Sequence, residues 1–105
     1  MTTSRLEQLQ KFLDDEPADS FTHYAIALEY SEMGKASEAI GKFEEVIVLD
    51  PEYFPAYRQL GLLLARLNRK DEAVAILKKG ISVASSAGDV HAAGEMKETV
   101  EELEE

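Results

Sequence analysis

Pro17 and Pro51 stand 34 residues apart, and the apolar residues around them recur at the same step. Leu6, Ile40 and Val74 form one register, Leu9, Phe43 and Leu77 a second, and Leu13, Ile47 and Ile81 a third. His23, Tyr57 and His91 form a fourth, and Ile26 is answered by Leu60. A period of this length marks a structural repeat, in which each supersecondary unit buries its apolar face against its neighbours.

Within each period the spacing is helical. Residues 20–33 carry Tyr24, Ala27, Leu28 and Tyr30, and residues 37–49 carry Ala39, Ile40, Phe43, Val46 and Ile47, at the three- and four-residue steps of a helix face. Gly34 supplies a left-handed stop between the two, Ser37 is the expected cap of the second, and Pro51 ends it. Residues 54–67 and 71–86 repeat the pair, with Asn68 in the place of Gly34. At the start, residues 4–15 match the second helix of a repeat, opened by a Ser4–Glu7 capping box. At the end, residues 89–104 begin at the good cap Asp89 and place Val90, Ala93, Met96, Val100 and Leu103 on one face.

The residues inside the period resemble the tetratricopeptide repeat, whose pattern sets an aromatic, Leu-Gly, Tyr, Ala, Phe and Pro in order. The first repeat, 20–53, reads His23, Ile26-Ala27, Tyr30, Ala39, Phe43 and Pro51. The second, 54–87, reads Tyr57, Leu60-Gly61, Leu64, Ala73 and Leu77. It departs from the pattern at its end, where Ser85 replaces the proline, so its last helix is expected to run on towards Gly88. The resemblance implies an all-α fold, a right-handed antiparallel helix-turn-helix stack (an α-solenoid) of about six helices, forming one domain over residues 1–105.

Charge and composition exclude several classes of function. The net charge of −10 repels nucleic acid and anionic membrane. No cysteine is present, which removes disulfides, thiolate metal sites and cysteine nucleophiles. The longest apolar run, Leu62 to Ala65, is too short to cross a bilayer, and the first residues do not resemble a signal peptide, so a cytoplasmic protein is expected. There is no glycine-rich phosphate loop, serine elbow or zinc motif, and no cofactor is expected. His23 and His91 are two full repeats apart, too far to share one metal ion, and each is expected to fill the aromatic slot of its repeat. The carboxylates of residues 101–105 read as a solvated tail. The expectation is a non-enzyme.

In proteins of the family it resembles, the first helix of each repeat lines a concave face on which a peptide lies. That resemblance nominates Phe21, Tyr24 and Leu28, with Ser31, from the first repeat. From the second it nominates Arg58, Leu62 and Arg66, with Ala65, and from the last helix Met96, with Ala92. Arg58, Leu62 and Arg66 step by four and form a row along one helix, as do Tyr24 and Leu28. Leu28 and Leu62 fit burial against a neighbouring helix equally well. The arginines suit carboxylate recognition, or simple pairing with surface acids. Tetratricopeptide domains that grip the acidic tails of heat-shock chaperones use lysine, asparagine, asparagine, lysine and arginine; the matching positions here are Tyr24, Leu28, Gln59, Asp89 and Ala93, so that role is not implied. Residues 54–87 hold six basic and two acidic residues, whereas residues 20–53 hold two basic and seven acidic. The expected function is therefore protein–protein interaction with a peptide or partner protein. The alternative is a scaffolding role through a homodimer or larger self-assembly.

Overall fold

The computed structural model describes residues 4–105 and contains six α-helices and, among those residues, no strand. They are α1 (Arg5–Asp15), α2 (Ser20–Glu32), α3 (Ala36–Leu49), α4 (Phe54–Arg66), α5 (Lys70–Ser86) and α6 (Val90–Leu103). None of the described helices is long and apolar enough to cross a membrane. The chain forms two compact units, one ending at Asp50 and the other running from Pro51 to Glu105. In the N-terminal unit α2 packs against α3 and α1, and in the C-terminal unit α5 packs against α4 and α6.

The short connections explain the hairpins. Gly34, Asn68 and Gly88 all have positive φ, at 77°, 60° and 81°. After α2, the Gly34 N–H donates to Ser31 O and the Lys35 N–H to Tyr30 O, at 3.1 and 2.9 Å. After α4, Asn68 and Arg69 make the same pair of bonds to Ala65 and Leu64, and after α5 Gly88 and Asp89 make it to Ser85 and Ala84. This is the Schellman stop, which satisfies the last carbonyls of a helix while turning the chain back. Asn serves in the middle case because it tolerates the left-handed region better than other non-glycine residues.

Helix starts follow two rules. Ser4, Asp19 and Asp89 accept hydrogen bonds from the backbone N–H of Glu7, Thr22 and Ala92 and so cap α1, α2 and α6. The helices that follow the Gly34 and Asn68 turns have no side-chain cap. Ser37 is thus not the cap expected of it. The Lys35 carbonyl already accepts from Ala39 N–H at 3.0 Å, which starts the helix at Ala36 and leaves Ser37 inside its first turn. α4 begins with Pro55 in its first turn, where the missing N–H costs nothing.

Each unit has its own core. In the N-terminal unit Ile26, Ala27, Ala39, Phe43 and Val46 are fully buried. In the C-terminal unit Leu77 and Ala84 of α5 are packed with Ala92, Ala93, Met96 and Val100 of α6. On its other side α5 meets α4 at very close range. A Cβ added to Gly61 would lie 2.5 Å from the Leu77 side chain, and one added to Gly80 would lie 2.7 Å from Tyr57 Cβ. Glycine at these two positions sets the α4–α5 separation.

Candidate functional site

The aromatic slot of each repeat is a structural device. The His23 ring is 4% exposed, and its Nε2 lies 2.8 Å from the carbonyl of Pro17. The Tyr57 ring is 5% exposed, and its hydroxyl donates to the carbonyl of Pro51 at 2.7 Å. In both cases the first helix of a repeat is tied to a proline carbonyl six residues upstream. Lys42 Nζ sits 3.1 Å from His23 Nδ1 and 3.1 Å from Glu45. An ammonium only donates, so the contact with Lys42 assigns Nδ1 as the acceptor and Nε2–H as the donor to the Pro17 carbonyl. His23 is consequently committed on both nitrogens to holding α2 in place.

His91 does not fill the slot expected of it. Its side chain is 87% exposed and lies 3.5 Å from Glu95 on the same helix. The carbonyl six residues upstream belongs to Ser85, and the turn at Gly88 already uses it. Among the described residues no group of three or more His, Asp or Glu side chains could hold a metal ion.

The nominated contact residues fall into three situations. On α2, Phe21 is 67% exposed, while Tyr24 and Leu28 are half-buried on the same side. The Tyr24 ring meets the buried Phe43 edge-on, with centroids 6.0 Å apart and planes at 61°, which fixes its orientation. On α4, Arg58 and Leu62 are half-buried and Arg66 is exposed in the last turn, where a cation complements the helix dipole. Arg58 makes no ion pair among the described residues. Met96 is the exception. At 1% exposure it belongs to the α5–α6 core, with its Sδ against the space that Gly80 leaves open, so it offers no surface to a partner. The helical spacing that suggested a binding row is here the spacing of a packed face.

Local electrostatics stabilise the start of α2. The Thr22 hydroxyl and the Thr22 backbone N–H both donate to Asp19 Oδ2, at 2.5 and 2.9 Å, and hold its carboxyl below the usual carboxylate range. Hydrogen bonds from the Arg69 guanidinium do the same to the exposed Glu72 in the first turn of α5. A further feature was not anticipated from the sequence: a groove of about 350 Å³ between α1 and the start of α2, lined by Leu9, Phe12 and Phe21 among others. The signal for it was present in Leu9 and Phe12, which stand at the 34-residue step from Phe43 and Val46 of α3 and from Leu77 and Gly80 of α5.

Comparison with known proteins bears on both fold and site. A family profile described as tetratricopeptide repeat matches residues 54–86. The solution structure of a tetratricopeptide repeat domain protein from Salinibacter ruber is similar, with 38% identity and a TM-score of 0.80 over 84% of this chain and 89% of that one. A crystal structure of a tetratricopeptide repeat domain protein from the same organism gives 37% identity and a TM-score of 0.76, covering 82% and 96%. A protein from Bordetella parapertussis, 20% identical, shares the fold with a TM-score of 0.83 over 97% of this chain and 89% of that one. Among curated proteins no match is found.

Proposed function

Because the chain belongs to the tetratricopeptide repeat family, we propose that it is a non-catalytic interaction module that holds a peptide segment of a partner protein against the first helices of its repeats. The fold itself is that of a protein–protein interaction module. The finer reading concerns two surfaces, each taken by itself. On α2 the contact row is Phe21, Tyr24 and Leu28, which leave the inner face of that helix to Ile26 and Ala27. On α4 it is Arg58, Leu62 and Arg66.

Arg58 is the observation that carries the reading. A half-buried guanidinium presents five donors in a planar fork, and burial normally demands that such a charge be matched. Arg58 has no acidic partner among the described residues, and a carboxylate on an extended or helical segment would satisfy it with paired hydrogen bonds. Leu62, one turn along, adds apolar contact beside that pair.

The test is affinity capture with wild-type protein, followed by calorimetry of the captured partner against two variants. Arg58→Ala with Arg66→Ala, and separately Phe21→Ala with Tyr24→Ala, are each expected to weaken binding by roughly 2 kcal/mol or more. Of the two arginines Arg66 is the exposed one, and Arg66→Ala alone should leave the melting temperature nearly unchanged, since exposed substitutions alter stability by about 0.5 kcal/mol or less. Full affinity in both double variants would overturn the assignment of these rows.

A further inference from the structure

The outer face of α5 carries a charge pattern that is complementary to its own reverse. α5 packs on α4 and α6, and its buried residues Ala73, Leu77, Gly80 and Ala84 fall along one side. The opposite side is exposed, and at its centre stands Ala75. Glu72 and Asp71 lie three and four positions before Ala75, and Lys78 and Lys79 lie three and four positions after it. At 3.6 residues per turn, all five fall within about 60° of one line along the helix. All five are exposed. Glu72 pairs with Arg69, and Lys78 lies 3.7 Å from Glu104. The side chains of Asp71 and Lys79 make no hydrogen bond or ion pair among the described residues. They share a face but stand about 12 Å apart along the axis, too far to pair with each other.

We infer that this face is a self-complementary contact through which two copies of the chain pair, α5 against α5 in antiparallel orientation, crossing at Ala75. A two-fold axis through Ala75 sets each residue before it opposite the residue equally far after it in the second copy. Asp71 of one copy then meets Lys79 of the other, and Lys79 meets Asp71, so both unpartnered charges are matched at once. Glu72 and Lys78 are opposed in the same way, which adds a second pair of opposite sign on each side of the crossing. Ala75 presents only a methyl group there, so the two axes approach to about 8–10 Å, within reach of the lysine side chains.

The order of the charges is what selects a second α5 as the occupant. At the 34-residue step the same face of α3 reads Ser37, Glu38, Gly41, Glu44 and Glu45, with acids on both sides of its small residue. Two copies of α3 would set Glu44 and Glu45 against Glu38, and α3 laid on α5 would set them against Glu72 and Asp71. Both arrangements repel. The net charge of −10 opposes association at long range. At physiological ionic strength that repulsion is screened beyond about 8 Å, which leaves the close pairs. Exposed pairs are individually weak and one pair of helices is a small interface, so the dimer is a weak one that forms at high protein concentration. The contact uses no residue of the α2 and α4 rows, and it is independent of the proposed peptide binding.

Sedimentation of the full chain over a concentration series, at about 0.15 M salt, reads the contact. Wild-type protein is expected to show a monomer–dimer equilibrium. Asp71→Lys opposes lysine to lysine across the two-fold axis, and Lys79→Asp opposes aspartate to aspartate, so each variant alone should associate at least roughly tenfold more weakly. Mixed in equal amounts the two variants should pair again, because each lysine then faces an aspartate at both ends of the contact. Ala75→Gln changes no charge and lies at the crossing, so it should also dissociate the dimer while leaving circular dichroism unchanged. A wild type that stays monomeric throughout the series, a charge variant that associates as strongly as wild type, or a mixture no more associated than its components would overturn the inference. If circular dichroism shows a charge variant to be unfolded, Ala75→Gln decides: loss of the dimer supports the contact, and association equal to wild type overturns it.

Discussion

Residue 23 is histidine where residue 57 is tyrosine, yet both rings send a polar atom to the carbonyl of a proline six residues upstream. The common requirement is a buried ring with a donor at its tip, which either residue meets. Tyr57→Phe keeps the ring and removes the donor to Pro51, so it is expected to cost about 1 kcal/mol in denaturant unfolding. Asp19 carries a pH dependence of predictable sign. Thr22 holds its carboxyl below the usual range in the folded state, so the unfolded chain binds more protons in the interval between the two values. The stabilisation is present above the usual carboxylate range and is lost as pH falls through the lowered value. Melting curves of wild type and Asp19→Asn should differ at neutral pH and converge in acid. A gap that stays constant with pH would show that the charge of Asp19 is irrelevant. The 34-residue register foretold the shared slot of His23 and Tyr57 but misplaced His91, because the register says nothing of whether an upstream carbonyl is still available.

At the scale of helices, stop signals were legible and start signals less so. Gly34, Asn68 and Gly88 require or tolerate positive φ, a local property that residue type reports directly. The start of α3 was misread at Ser37, because the Schellman turn feeds straight into the next helix and leaves no place for a separate cap. Close approach at Gly80 was not legible, because its meaning depends on Tyr57 and Met96 coming from two other helices. Gly61→Ala forces a methyl group against the buried Leu77 and is expected to destabilise by roughly 1–3 kcal/mol, measured by chemical unfolding. Unchanged stability would mean that α4 and α5 separate freely. Removing residues 89–105 should uncover Ala84 and Ile81 of α5, which pack with α6, and drive aggregation. Static light scattering of a truncated chain that stays monomeric would contradict that role for α6.

Across the whole molecule, the repeat period carried the fold, while the contact surface was only partly readable. A row at helical spacing can face a core or a partner, and the sequence alone does not distinguish them. Met96 went to the core, Tyr24 is braced on Phe43, and Phe21, Arg58 and Arg66 present surface. Both units are net acidic, and the basic excess is confined to residues 54–87, which sets the second repeat apart from α6 and from the stretch up to Asp50. The central claim is that this chain works by holding polypeptide on the first helices of its repeats. An NMR titration of nitrogen-15-labelled protein with the partner segment captured by the wild type tests it most directly. The account predicts amide shifts concentrated at Phe21, Tyr24 and Leu28 on α2 or at Arg58, Leu62 and Arg66 on α4. Shifts confined to α3 and α5, with both rows silent, would contradict it.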